Sequence, residues 1–199
     1  MKPEHYFTKS PTSQEELKIF EDYLRGNRFV FKTSSGVFSA QKIDLGTRLL
    51  ANDSVIPPLG KILDLGCGYG AVGIAIKKAF PKITVFMSDI NERAVRLSKE
   101  NALKNNVDVN VNSGEFFTAF PEEKFDVILL NPPQTAGKDV CFKMIEDSKN
   151  NLNPKGTLQL VARHNKGGET LSKKMLEVFG NVRTVSIKSG YRIYLSEFT

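Results

Sequence analysis

The sequence predicts an α/β fold built on a doubly wound, mostly parallel sheet. Three observations support this prediction. Short apolar runs alternate with segments whose apolar residues recur every three to four positions, the pattern of strands separated by amphipathic helices. The first of these runs ends in a cluster of glycines. The last two runs are separated only by Lys188-Ser189-Gly190, a spacing typical of an antiparallel hairpin.

Seven strands are predicted in chain order, at residues 61–65, 83–89, 107–112, 125–130, 157–163, 182–188 and 190–198. Helices are predicted between them at residues 71–80, 91–106, about 138–151 and 169–180. Strands that alternate with helices imply parallel pairing with helices on both faces, here with an antiparallel edge. The predicted architecture is therefore Rossmann-like, with an antiparallel C-terminal hairpin.

The residues before this core differ in character and are predicted to form a small cap. A helix-capping signal at residues 12–16 precedes apolar residues at helical spacing and predicts a helix within residues 11–24. Residues 28–40 predict a hairpin with its turn at Ser34-Ser35-Gly36, and residues 44–52 a short helix. The cap is expected to pack on the core and to border its functional site.

Length and composition are those of one compact domain. The chain has 199 residues, of which 40% are apolar and 25% charged. We predict a single domain over residues 1–199, divided into a cap of residues 1–58 and a core of residues 59–199. No apolar run approaches the roughly 20 residues that span a bilayer, and the N-terminus lacks an apolar secretion signal, so a cytoplasmic location without membrane contact is expected. Cys67 and Cys141 lack the spacing of a disulfide framework or zinc site.

The net charge of +6 is unevenly distributed. Residues 151–199 contain eight basic and three acidic residues, whereas residues 106–150 contain four basic and eight acidic ones. A basic segment suits a polyanionic partner such as nucleic acid, because Lys and Arg supply its phosphate contacts. Ordinary solvated surfaces show similar patterns, and Lys166 and Arg192 are open to both interpretations.

A glycine-rich turn joins the first predicted strand to the first predicted helix, with the sequence DLGCGYG at residues 64–70. Its glycines allow the backbone to pass close to a ligand, because a side chain there would block the approach. Gly66, Gly68 and Ala71 also satisfy the loose G-x-G-x-x-G/A pattern of dinucleotide-binding enzymes. The turn therefore favours a ligand site and leaves a nicotinamide-dependent oxidoreductase open.

Asp89 ends the second predicted strand, 23 residues beyond Gly66. A carboxylate at this position can accept hydrogen bonds from both hydroxyls of a ribose, in dinucleotide and other nucleoside sites alike. Asp89 or Asn91 is also a candidate cap for the following helix. The residue supports nucleoside binding without indicating which nucleoside.

The sequence Asn-Pro-Pro-Gln follows the strand at residues 125–130. Two consecutive prolines fix φ and lack N–H donors, so the carbonyls of this loop are rigidly aimed. The carboxamide of Asn131 and a loop carbonyl can together accept the two hydrogens of a planar NH₂ group. A dehydrogenase has no evident use for such a pair, so the loop favours chemistry at an exocyclic amine. The alternative is a turn that merely precedes a helix.

Together these motifs resemble class I methyltransferases that use S-adenosylmethionine (SAM) and methylate amines. The similarity extends to GVFSAQKIDLGTRLL at residues 36–50, LVARHNKGGE at 160–169 and GYRIY at 190–194. These segments resemble the small-domain ribosomal RNA guanine exocyclic-amine methyltransferases, including short archaeal stand-alone members. The resemblance covers most of the chain and implies a SAM-dependent N-methyltransferase acting on guanine in ribosomal RNA.

The resemblance also implies roles for individual residues in binding the cofactor. Asp64 with Gly66, Gly68 and Gly70 would hold the methionine end of SAM, Asp89 would bind the ribose, and Glu115 would lie near the adenine. Thr47 is a candidate contact for the SAM carboxylate, although it is equally a candidate helix cap. No metal ion is implied.

For the substrate, the resemblance implies that Asn131 and Pro132 position the target amine. Pro133, Gln134 and Phe38 would contact the base. Many relatives have an aromatic residue after Asn-Pro-Pro that stacks on the base, whereas this sequence has Gln134. Stacking is therefore expected from elsewhere, with Phe31 or Phe38 as candidates.

The sequence leaves several functions open. The expected partners are SAM and ribosomal RNA or a ribosomal subunit. The Asn-Pro-Pro-Gln loop could equally bind the planar amine of protein glutamine or of a DNA or tRNA base. A nicotinamide-dependent oxidoreductase and a non-catalytic RNA-binding module are the alternatives from other classes.

Overall fold

The computed structural model describes residues 14–37 and 42–199 and confirms the predicted fold class. The strands are β1 (Leu17–Leu24), β2 (Asn27–Ser34), β3 (Lys61–Leu65), β4 (Thr84–Asp89), β5 (Asn110–Ser113), β6 (Phe125–Leu130), β7 (Leu152–Arg163), β8 (Arg183–Lys188) and β9 (Tyr191–Glu197). The α-helices are α1 (Leu45–Asp53), α2 (Ala71–Ala79), α3 (Glu92–Lys104), α4 (Lys138–Asn151) and α5 (Glu169–Phe179).

Seven of the strands form one sheet in the order β5-β4-β3-β6-β7-β9-β8. The pairs from β5 to β7 are parallel, whereas β9 is antiparallel to both β7 and β8, as predicted for the C-terminal hairpin. From β3 the chain first builds outward through β4 and β5, then returns to β6 on the other side. The carboxyl ends of β3 and β6 therefore form the switch point at which doubly wound sheets bind ligands.

Helices cover both faces of this sheet and bury two apolar clusters. On one face α1, α2, α3 and the β1–β2 hairpin enclose a cluster that includes Leu50, Ile76 and Leu97. On the other face α4 and α5 enclose a cluster that includes Ile145 and Met175. No helix within residues 14–37 and 42–199 has the length and apolarity that a bilayer crossing requires.

The predicted helix within residues 11–24 is wrong, because residues 17–24 form β1. β1 pairs with β2 in antiparallel register, and Phe20 packs on Phe31 and Tyr69 at centroid distances of 5.9 and 6.0 Å. A local capping signal is worth about 1 kcal/mol, less than the pairing and aromatic packing that oppose it.

A turn is present at the predicted Ser34-Ser35-Gly36, where the N–H of Val37 donates to the carbonyl of Ser34 at 3.3 Å, but residues 38–40 of the predicted hairpin lie outside the described residues. The hairpin that the structure shows joins β1 to β2, and its turn is at Arg25-Gly26, where φ is +46° and +74°. The Arg25 guanidinium donates to the carbonyls of Ala51 and Ser54, which attaches this turn to the end of α1. The hairpin is therefore fixed to the core by contacts that no local turn signal reveals.

Two other boundaries differ from the prediction by more than two residues. β5 begins at Asn110, where β4 provides a pairing partner in Phe86, instead of at residue 107. β7 begins at Leu152, five residues earlier than predicted, and continues through an irregularity opposite Phe125 and Val127. The helix ending at Gly180 is confirmed, and this glycine adopts a φ of +75° as the C-cap of α5.

Candidate active site

The glycine-rich turn passes across the carboxyl end of β4. The N–H groups of Gly66 and Cys67 both donate to the carbonyl of Ser88, at 2.8 and 2.9 Å, and the N–H of Gly68 donates to Asp89 Oδ2 at 2.9 Å. Gly66 and Gly68 have φ values of +74° and +57°, and a Cβ added at either would meet nothing within 4 Å. Open space therefore lies beside these two glycines, as a closely approaching ligand requires.

These hydrogen bonds argue against a dinucleotide. A pyrophosphate is bound through free N–H groups of the turn and the following helix N-terminus. Here the N–H groups of Gly66, Cys67 and Gly68 are occupied within the protein, and that of Gly70 donates to the carbonyl of Cys67. Four N–H groups of the turn are therefore not free to bind a pyrophosphate, which disfavours the nicotinamide alternative.

Two carboxyl groups, that of the buried Asp64 and that of the partly buried Asp89, stand on either side of this turn. Asp64, 3% exposed, accepts the N–H of Gly73 at 2.9 Å, and burial raises the pKa of its carboxyl group to about 7. Burial also raises the pKa of Asp89, against the lowering effect of the N–H groups of Asn91 and Gly68. Desolvated acids of this kind are stabilised in their ionised form by a cationic or hydrogen-bond-donating ligand.

The Asn-Pro-Pro corner follows β6, the strand next to β3. Asn131 Nδ2 donates to Thr47 Oγ1 at 3.0 Å, while the N–H of Thr47 donates to Asp44 Oδ1, the N-cap of α1. The first turn of α1 thus holds the carboxamide with its nitrogen toward Thr47. The side-chain oxygen of Asn131 is then the atom available to accept a hydrogen bond from an amine.

These elements surround one cavity of about 280 Å³. Most residues expected at the site line it, namely Thr47, Asp64, Gly66, Gly68, Asp89, Glu115, Asn131, Pro132 and Pro133. The motifs at the ends of β3, β4 and β6 are therefore brought together as the sequence predicted.

Other predicted site residues lie elsewhere. Gly70 does not line the cavity, and a Cβ added there would lie 2.7 Å from Met87 Cε, so it serves packing and the start of α2. Phe31 is wrong as a base-stacking candidate, because it is fully buried against Phe29 and Tyr69. Phe38 lies outside the described residues. Gln134 begins a short 3₁₀ turn, and its side chain is not among those that the structure describes.

Sequence reasoning missed the residues of α3 that hold the glycine-rich turn from behind. Ser98 Oγ donates to the carbonyl of Gly68 at 2.7 Å, and Asn101 Nδ2 donates to that of Tyr69 at 2.8 Å. Asn101 also exchanges two hydrogen bonds with the backbone of Lys32 in β2, at 2.7 and 2.8 Å. The available signal was the presence of the polar residues Ser98 and Asn101 on the apolar face of a predicted amphipathic helix. Both side chains are fully buried in the structure.

Asn105, one turn further along α3, makes the equivalent pair of bonds to Val30, at 3.0 and 2.9 Å. The two asparagine side chains therefore satisfy backbone N–H and C=O groups of β2 that a neighbouring strand would otherwise pair with. Of the two, Asn101 additionally reaches the glycine-rich turn.

Comparison with known proteins places this geometry in a family. The chain is 37% identical over 193 residues to the uncharacterized protein YbxB of Bacillus subtilis, with 96% of each chain covered. It is 31% identical over 196 residues to the ribosomal RNA small subunit methyltransferase C of Actinobacillus pleuropneumoniae serotype 3, covering 96% of this chain and 58% of that one. The chain thus spans little more than half the length of that relative.

A similar solved structure is the Thermus thermophilus 16S rRNA N2 G1207 methyltransferase (RsmC) in complex with AdoMet and guanosine. It superposes with a TM-score of 0.79 at 23% identity, covering 95% of this chain and 52% of that one. This likeness confirms the fold.

The fold and the site define a class I SAM-dependent methyltransferase. The match to the methyltransferase small domain extends over residues 28–195. The chain belongs to the methyltransferase small domain family, which confirms the resemblance drawn from its motifs.

Proposed function

We propose that this protein methylates the exocyclic amine of a guanine in ribosomal RNA, with SAM as the methyl donor. The observation that carries the proposal is the hydrogen bond from Asn131 Nδ2 to Thr47 Oγ1, which leaves the carboxamide oxygen available to accept hydrogen bonds beside the cavity. The relatives named as ribosomal RNA methyltransferases support the choice of substrate.

The cavity residues fit SAM. Gly66 and Gly68 border open space where a side chain would stand, as a cradle for the methionine end requires. Asp64 supplies a buried carboxylate for a cationic group, and the Asp89 carboxylate can accept hydrogen bonds from ribose hydroxyls in addition to the backbone N–H groups it already accepts. Glu115 lies at the cavity wall, where the adenine would lie. Bound SAM would supply a methyl group activated by a sulfonium.

The chain's own residues then act by orientation. The Asn131 oxygen and the Pro132 carbonyl would accept the two amine hydrogens, which aims the nitrogen lone pair at the neighbouring cofactor cavity. Pro133 keeps the corner stiff because both prolines fix φ. Holding reactants in near-attack geometry can contribute about 7–11 kcal/mol, so no strong base is needed in this scheme.

The proposed function is tested by methyl transfer to ribosomal RNA from cells that lack the gene. We expect label from SAM to enter the RNA and to appear as N2-methylguanosine after digestion to nucleosides. Free ribosomal RNA and assembled small subunits are assayed in parallel, since either is compatible with the site. The same RNA from cells that carry the gene is the control, because its target position is already methylated.

Three results would contradict the proposal. Label in methyladenosine would show that the Asn-Pro-Pro corner positions the amine of adenine. Label in protein glutamine would show that the substrate is a protein. RNA binding without any methyl transfer would identify a non-catalytic module.

The bridge made by Asn101 leads to a prediction on cofactor binding. Asn101→Ala and Asn105→Ala each leave a backbone N–H and C=O of β2 without partners, so we expect both to lower the free energy of unfolding by about 2–4 kcal/mol. Asn101→Ala alone also releases the carbonyl of Tyr69, and should weaken SAM binding about tenfold. Calorimetric titration with SAM separates the two effects.

Asn105→Ala is the matched control in that experiment, because it removes the same type of contact from the same strand. Equal losses of SAM affinity in both variants would show that the hairpin acts only through overall stability.

A further inference from the structure

A row of three side chains crosses the sheet beside the Asn-Pro-Pro corner. Arg163 of β7 is the direct partner of Tyr191 in β9, and Tyr191 is the direct partner of Lys188 in β8. Directly opposed residues of antiparallel strands project from the same face of the sheet. We name Arg163, Tyr191 and Lys188 the basic row.

The basic row lies at the edge of the sheet that carries the candidate site. Arg163 ends β7, whose parallel neighbour β6 leads into Asn131. The ring of Tyr191 packs against the first turn of α1, since a Cβ added to Gly46 would lie 3.1 Å from its Cε1 atom. The next residue, Thr47, holds the carboxamide of Asn131. The first turn of α1 therefore contacts both Tyr191 of the basic row and Asn131 of the Asn-Pro-Pro corner.

The positive charge of the row is uncompensated. Arg163 and Lys188 are exposed, and within residues 14–37 and 42–199 neither has a carboxylate oxygen within 4.0 Å. The flanking Lys166 is likewise exposed and has no carboxylate oxygen within 4.0 Å among the described residues. The nearby carboxylate of Glu169 is already bound to Lys173 at 2.8 Å. Clustered cations without partners attract a polyanion.

The row is also held in shape. Ser189 and Gly190 form a tight turn with φ values of +50° and +81°, and the N–H of His164 donates to the carbonyl of Gly190 at 2.9 Å. The Arg163 guanidinium lies over the Tyr191 ring, 6.0 Å from its centroid. An arginine supported by an aromatic ring, with a second cation on the far side, is suited to the backbone of single-stranded RNA.

We propose that the basic row binds the sugar–phosphate backbone of RNA next to the nucleotide held by the Asn-Pro-Pro corner. The choice of RNA as the polyanion rests on the proposed function. Arg163 and Lys188 would each contact a phosphate, and Tyr191 would keep the guanidinium in place. The row would then set the direction in which the RNA strand enters the site.

The test compares two double variants that each remove two positive charges. Arg163→Gln with Lys188→Gln changes the row. Lys82→Gln with Lys104→Gln changes two exposed lysines near the amino ends of the parallel strands, away from the candidate site. Lys82 precedes β4, and Lys104 ends α3. The probe is a fluorescein-labelled RNA hairpin of about 20 nucleotides with guanines in its loop, titrated in fluorescence anisotropy between about 50 and 200 mM KCl, the range over which phosphate contacts are resolved.

For the row variant we expect the slope of log K against log salt to decrease by about 1.5, corresponding to two lost phosphate contacts. Its Kd at about 100 mM salt should rise roughly tenfold, an effect of two backbone contacts. The Lys82 and Lys104 variant should keep the wild-type slope and Kd. Thermal melting of both proteins verifies that they are folded.

Equal changes in the two double variants would overturn the inference, as would no change in either or no RNA binding by the wild type. The measurement needs no methyl donor, so it is independent of catalysis. If the row variant alone binds weakly while the wild type methylates no RNA, the inference stands and the proposed function fails. If the wild type methylates RNA and both variants bind equally well, the reverse holds.

Discussion

Replacing Asn131 with alanine is expected to lower kcat by about 100- to 1000-fold, the usual effect of removing one preorganised group that acts in the transition state. In the proposed function the carboxamide oxygen would orient the amine, and the cofactor would lie against other residues of the cavity. The Kd for SAM should therefore change by less than about threefold, a fraction of the 1.4 kcal/mol that a tenfold change represents. Single-turnover transfer to RNA and calorimetric titration with SAM measure the two quantities.

Two further variants sharpen this experiment. Thr47→Val removes the oxygen that accepts from Asn131 Nδ2, and should lower kcat about tenfold through loss of one hydrogen bond. Asn153→Ala is the matched control. Asn153 also donates one side-chain hydrogen bond, to Asp126 Oδ1 at 2.9 Å, but it lies at the amino ends of β6 and β7, away from the candidate site. Retention of wild-type turnover by the Asn131 variant would exclude the amine-holding role.

Replacing Asp89 with alanine is expected to raise the Kd for SAM at least 100-fold. Two charge-assisted hydrogen bonds to ribose hydroxyls would be lost, at about 1.5–3 kcal/mol each. The same change frees the N–H of Gly68, which loosens the glycine-rich turn. Asp89→Asn, which keeps one acceptor oxygen, should fall between the alanine variant and the wild type.

Asp126 provides the comparison for Asp89. Its carboxylate also accepts two hydrogen bonds, from the N–H of Lys61 at 2.7 Å and from Asn153, at the amino ends of the strands. Asp126→Ala should lower the melting temperature while leaving SAM affinity intact. Should both aspartate variants bind SAM equally well, the ribose contact would have to be assigned elsewhere.

Much of the core was predictable because its signals are local. The strand at residues 125–130 and the helix at 138–151 were predicted with the observed bounds, since a buried apolar run and an amphipathic repeat each follow from short-range spacing. The cap was not predictable in this way. A helix-capping signal directly precedes β1, and the strand conformation of β1 depends on β2 and on Phe20 packing against Phe31 and Tyr69.

The same distinction applies to the site. Motif residues at the carboxyl ends of β3, β4 and β6 were expected to meet, because parallel strands end at one edge of a sheet. The hydrogen-bond partners of the site residues could not be predicted from the sequence. Thr47 lies 84 positions before Asn131, and Lys32 lies 69 positions before Asn101, so neither hydrogen bond has a local sequence signature.

By itself, the sequence determined the α/β class, the order of the core elements and the motif residues of a methyltransferase, since periodicity, glycines and prolines act over short range. Only the tertiary structure decided the orientation of the Asn131 carboxamide, the internal bonding of the glycine-rich turn and the alignment of Arg163, Tyr191 and Lys188. Those features arise from contacts between segments far apart in the chain, and the packing of the whole domain selects them.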